Sequence, residues 1–167
     1  MKINHSKGDQ RMQKVNPIPE GQRTPTPYLT VRGAAAAIEF YAKVFGATEL
    51  FRLTGPDGKI GHAEIAIGNS QIMLSDEHPD FGALSPQTVG GCPIKMHLYV
   101  EDADEVVERA VKAGATLLRP LTDEFYGDRT GMIADPFGYS WFIATRKEDV
   151  APEEMQRRWS AVFENAG

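Results

Sequence analysis

The tripeptide Gly-Ala-Thr occurs twice in this chain, as Gly46-Ala47-Thr48 and Gly114-Ala115-Thr116. Each copy follows an extended segment and then an Ala/Val-rich stretch of helical spacing. Each closes that helix and opens a strand, and further short strand-like runs come after it. An internal repeat constrains a fold more than any single residue does, because each copy must be one supersecondary unit and the units must stack on each other. The expected fold is therefore α+β: two βαβββ modules, residues 24–76 and 94–145, forming a cupped mixed sheet, with the functional site between or within the curved sheets.

Periodicity supports the unit within each module. Residues 26–31 alternate polar and apolar, with Thr26, Tyr28 and Thr30 opposite Leu29 and Val31. Ala34, Ala37, Ile38, Tyr41, Val44 and Phe45 recur at helical spacing, and Gly46 suits the position just beyond a helix C-terminus. Residues 49–53, 62–67 and 71–75 read as strands, the last two joined by Gly68-Asn69. His62, Glu64, Gln71, Met73 and Ser75 fall on the face opposite the aliphatic residues. In the second module Lys95, His97 and Tyr99 alternate with Met96, Leu98 and Val100. A helix is expected over 103–113, then a strand at 117–118 ended by Pro120. The loop 125–129 enters the strand 130–134, the turn Asp135-Pro136-Phe137-Gly138 follows, and 139–144 forms the last strand. Residues 76–92 show no period and read as the connection between the modules, long enough to be functional or mobile.

At 167 residues the chain makes one ordinary domain or two very small ones. A net charge of −5 without a basic stripe argues against a nucleic-acid partner. The single cysteine, Cys92, excludes an intrachain disulfide framework and reads as an inert thiol. No run of 18 apolar residues suggests a membrane span, and the polar N-terminus lacks the apolar core of a secretory signal, so the expected location is cytoplasmic. Residues 1–22, with Pro17 and Pro19, read as a flexible arm. Residues 23–145 form the domain, and 146–167 a C-terminal amphipathic helix carrying Met155, Trp159, Val162 and Phe163 on one face.

The chain resembles the vicinal oxygen chelate superfamily, which holds glyoxalase I, bleomycin- and fosfomycin-resistance proteins and extradiol dioxygenases. Ile38-Glu39-Phe40-Tyr41 with Val44-Phe45-Gly46-Ala47, Val100-Glu101-Asp102 with residues 113–115, and Asp135-Pro136-Phe137-Gly138-Tyr139 carry the likeness. It covers about residues 24–145 and implies the paired βαβββ fold, a ligand cavity and a homodimer. Metal-dependent members supply ligands from the first and fourth strands of each module. The corresponding positions here are Thr26, Met73, Lys95 and Phe142, and a register slip of two brings in His97. Thr, Met and Phe do not suit a hard cation. The resemblance therefore implies a member without the standard metal ligands, with no cofactor expected.

The expected ligand-lining residues are Thr26, Tyr28, Thr30, His62, Glu64, Met73, Ser75, Lys95, His97, Tyr99, Tyr126, Arg129 and Phe142. His62 and Glu64, two apart on one strand, read as structural hydrogen-bonding groups, as a general base oriented by an imidazole, or with His97 as a two-histidine, one-carboxylate metal set. Arg129 reads as a clamp for an anionic ligand or as a partner of Asp128. Three functions stand side by side. The first is a metal-independent small-molecule binder. The second is a lyase, isomerase or oxygenase using His62, Glu64 and His97. The third is an interaction protein with a vestigial pocket.

Overall fold

The computed structural model describes residues 15–19, 22 and 25–164. Most of the arm expected over 1–22 lies outside the described residues. The first module runs β1 (Tyr28–Val31), α1 (Ala34–Phe45), β2 (Thr48–Thr54), β3 (Ile60–Ile67) and β4 (Ser70–Asp76). The second runs β5 (Lys95–Tyr99), α3 (Ala103–Lys112), β6 (Thr116–Asp123), β7 (Asp128–Ala134) and β8 (Ser140–Arg146). Their strand orders are the same, β1-β4-β3-β2 and β5-β8-β7-β6, with one parallel pair in each sheet, β1 with β4 and β5 with β8. The segment between the modules is not a plain loop. It holds a 3-10 turn at Pro79–Phe81 and the short helix α2 (Pro86–Val89), which has Pro86 at its first turn and accepts a hydrogen bond at Ser85 Oγ from the Thr88 amide.

The repeated tripeptide does the same work twice. Gly46 ends α1 in the left-handed region at φ 68°, and Gly114 follows α3 at φ 108°, a conformation that costs glycine little. The amides of Ala47 and Ala115 reach back to the Tyr41 and Ala110 carbonyls before Thr48 and Thr116 start the next strand. The last strand of each module also caps that module's own helix. Asp76 Oδ1 accepts from the Gly33 and Ala34 amides at 2.9 Å, and Thr145 Oγ1 accepts from the Ala103 amide at 2.9 Å.

α1 covers the aliphatic face of the first sheet, α3 covers that of the second, and the two helices meet. Leu29, Val31, Ile65 and Leu74 thus join Val106, Ile133, Trp141 and Ile143 in one continuous core. Arg109 on α3 donates to the Val44 carbonyl at the end of α1 at 2.9 and 3.0 Å. The Tyr139 hydroxyl bridges the modules by donating to the Thr30 carbonyl and accepting from its amide. At the centre Asp135, 5% exposed, accepts four hydrogen bonds: from Tyr41 Oη (2.7 Å), Trp141 Nε1 (2.8 Å) and the Phe137 and Tyr139 amides (2.9 Å each). Burial lifts the Asp135 pKa above the ordinary carboxylate value, and these donors pull it back. The turn read from Pro136 and Gly138 is present, and its Asp is also the polar tie between α1 and β8.

β6 continues through Pro120, where a stop was expected. It is the outer strand of its sheet with shifted pairing on either side of Arg119, so a residue without an amide hydrogen breaks no ladder. The C-terminal helix α4 spans Pro152–Glu164, so it starts later than the expected 146, and residues 165–167 lie outside the described residues. No helix among the described residues is long and apolar enough to cross a membrane.

Candidate functional site

Because the helices lie on the aliphatic faces, the other face of each sheet points away from the shared core. On the first sheet, pairing sets Tyr28 beside Met73, Met73 beside Glu64 and Glu64 beside Phe51. The next row holds Thr30 beside Ser75, and Leu53 beside His62. The position on β1 opposite Met73 is thus Tyr28, two residues after the Thr26 assigned from the sequence. Thr26 precedes the strand and donates through its hydroxyl to Gln22 Oε1 at 3.2 Å. Gln22 in turn donates to Glu64 Oε2 at 3.0 Å, so the end of the N-terminal segment is tied onto this face. Glu64 Oε1 lies 3.4 Å from His62 Nε2, and His62 Nδ1 lies 3.1 Å from the Tyr28 hydroxyl. The His62 ring sits between those of Tyr28 and Phe51, each 5.6 Å away between centroids.

On the second sheet His97 pairs with Phe142, Phe142 with Met132, and Met132 with Arg119. The slip of two therefore applies here as well, and His97 rather than Lys95 stands opposite Phe142. The His97 ring stacks on Phe142 at 5.7 Å and contacts Tyr99 at 4.8 Å, while the Arg119 guanidinium lies over Phe142 at 5.9 Å. The Tyr99 hydroxyl donates to Asp128, itself 5% exposed, at 2.7 Å, and this bond raises the Tyr99 pKa. Lys95 occupies the row beside Ser140 and is exposed.

The structure keeps some expected residues apart. Arg129 faces the helix side and binds Asp104 on α3 through two hydrogen bonds of 2.6 and 2.7 Å, with Asp123 at 3.2 Å. Strand alternation places Asp128 and Thr130 on the outer face and Arg129 between them on the other. Tyr126 stands edge-on to Phe125 in the loop before β7, and it is Phe125 that contacts Trp159 of α4. His97 lies on a different sheet from His62 and Glu64. Among the described residues no cluster of three or more His, Cys, Asp or Glu side chains is placed to hold a metal ion.

One cavity meets the outer face of the first sheet, and a second opens between the modules, mainly on the helix side. The first, about 700 Å³, is bounded by Pro17, Ile18, Pro19 and Gln22 on one side and by Leu50, Phe51, Glu64, Gln71 and Met73 on the other. The second, about 760 Å³, lies at the junction of the modules between the β3–β4 hairpin, the open edge of β5 and the start of α3, and includes His97, Tyr99 and Trp141. Both volumes fall within the range of small-molecule pockets, about 300–1,000 Å³. Gln71 belongs to the wall of both, and its Oε1 is buried with no hydrogen-bond donor among the described residues. Sequence reasoning missed Gln22, Phe51, Met132 and Arg119, and it put Gln71 on the outer face without naming it as a ligand contact. Gln71 was legible by alternation with Ile72, but Arg119 was hidden by ending the strand at Pro120.

The description Glyoxalase/Bleomycin resistance protein/Dioxygenase superfamily belongs to the family model that matches residues 23–143. The chain is 42% identical over 139 residues to the protein Rv0887c of Mycobacterium tuberculosis, covering 81% of this chain and 82% of that protein. The crystal structure of the Arabidopsis thaliana At5g48480 gene product is similar with a TM-score of 0.60 at 25% identity, over 73% of this chain and 98% of that one. TioX from Micromonospora sp. ML1 is similar with a TM-score of 0.57 at 25% identity, over 77% and 100% of the two chains.

Proposed function

We propose that this chain, which belongs to the Glyoxalase/Bleomycin resistance protein/Dioxygenase superfamily, is a metal-independent small-molecule binding protein that works as a cytoplasmic homodimer. The observation that carries this reading is Gln71 Oε1. A buried acceptor without a donor costs about 1–3 kcal/mol, and a ligand N–H or O–H in either adjoining cavity removes that cost. The first cavity suits a flat, mainly apolar molecule, with Leu50, Phe51 and Met73 in its wall, and on the second sheet His97 stacks on Phe142 with Arg119 above it. The exposed ring pair Trp159 and Phe163 on α4 offers the surface that a second copy would cover. An enzymatic reading has one observation in its favour, the contact of Tyr28 with His62 and of His62 with Glu64.

The fluorescent apolar anion 8-anilinonaphthalene-1-sulfonate tests the binding reading. It is expected to bind saturably, with the same affinity after exhaustive treatment with EDTA. Zn or Ni is expected to leave the melting temperature unchanged, since a ligand stabilises the folded chain by RT ln(1 + [L]/Kd) and so only where it binds. A melting temperature that rises with either metal, or dye binding abolished by EDTA, contradicts metal independence.

A further inference from the structure

Hydrogen-bond accounting on the first sheet fixes the direction of every proton from Glu64 to Tyr28. An ionised carboxylate only accepts, so Glu64 Oε1 takes its hydrogen bond from His62 Nε2–H. Glu64 Oε2 accepts from the Gln22 amide, whose own oxygen accepts from Thr26. With its proton on Nε2, a neutral imidazole has a bare Nδ1, and that nitrogen takes the proton of the Tyr28 hydroxyl at 3.1 Å. The lone pairs of the Tyr28 oxygen are thus turned outward from a side chain that is half exposed.

The geometry points to Tyr28 as a proton-transfer group, with His62 as its base and Glu64 and Gln22 as positioning residues. The ligand it fits is an uncharged, mainly apolar compound that carries an acidic O–H, or a C–H beside a carbonyl. When such a ligand approaches, the Tyr28 proton moves to His62 Nδ1, and the phenolate oxygen takes the proton of the ligand. The rings of Tyr28 and Phe51 flank the His62 imidazole and hold its orientation. Tyr99 supplies an internal contrast. It is the more exposed phenol, 61% against 50%, but its hydroxyl donates to a carboxylate that holds the proton on the phenol.

Acetylation by N-acetylimidazole, followed residue by residue with peptide mass spectrometry, tests this without a natural ligand. The Tyr28 oxygen attacks the acetyl carbon, the acetyl–nitrogen bond breaks, and imidazole leaves with one proton. The Tyr28 proton passes to His62 and then to solvent. General-base help is worth about 10²–10⁴-fold in a well-placed pair, so Tyr28 is expected to react at least about tenfold faster than Tyr99 in the same sample. His62→Gln is expected to bring the Tyr28 rate down to that of Tyr99 and to leave the Tyr99 rate unchanged. Glu64→Gln, which keeps an acceptor but removes the charge, is expected to give a smaller fall in the same ratio. Tyr28→Phe identifies the labelled site. A Tyr28 rate at or below that of Tyr99, or a Tyr28/Tyr99 ratio that His62→Gln does not change, overturns the assignment.

Discussion

Replacing Asp135 by alanine is expected to lower stability by about 4–5 kcal/mol, the largest effect of any single substitution outside the ligand faces. The carboxylate holds the Tyr41 hydroxyl, the Trp141 indole and two backbone amides in the interior. Its removal leaves these donors without an acceptor, and each such group costs about 1–3 kcal/mol when it cannot reach water. The sum is not additive, since Tyr41 can shift, but the Phe137 and Tyr139 amides are fixed by the turn. Tyr41 sits on α1 and Trp141 on β8, so the loss falls on the contact between modules. Chemical denaturation measures it. A loss under about 1 kcal/mol would show that the hub is not what ties the halves together.

The second large effect concerns assembly. α4 has no buried residue, and Trp159 and Phe163 are 46% and 61% exposed although their rings pack edge-on to each other at 4.8 Å. Trp159 also rests on Phe125 at 5.3 Å, so the pair forms a fixed ledge. Burying large apolar side chains contributes about 1.5–3 kcal/mol each. Light scattering at micromolar concentration is expected to give twice the chain mass of 18.4 kDa. Trp159→Ala with Phe163→Ala is expected to weaken the dimer about a thousandfold, near 4 kcal/mol, and to leave the far-ultraviolet spectrum of the fold in place. A wild-type protein that runs as a folded monomer contradicts the dimer.

The two modules were legible because the signals that define them are local. Gly46 and Gly114 mark helix ends by a backbone angle, and the spacing of Ala34 to Phe45 set α1 at the bounds observed. The choice of outer face was legible too, since alternation alone separates His62 and Glu64 from Ala63 and Ile65. What local signals do not carry is partnership at long range. Nothing near Asp135 announces Tyr41, 94 positions away. Nothing near Glu64 announces Gln22, which joins it from a segment with little regular structure. Arg129 shows a different limit. Its charge suggested a ligand clamp, but strand parity turns it to the helix side, where Asp104 and Asp123 neutralise it. Pro120 misled because a breaker rule for central strands was applied to an outer one.

The claim that the outer sheet faces hold a small molecule is tested most directly by methyl NMR of the methionines during titration with 8-anilinonaphthalene-1-sulfonate. Met73 and Met132 lie on the outer faces of the first and second sheets, Met96 lies on the helix side of β5, and Met155 lies on α4. The Met73 signal is expected to shift saturably with Met155 unmoved, and Met96, which lines the second cavity, reports whether that cavity is filled as well. Shifts confined to Met155, or no saturable shift at Met73, would contradict the account.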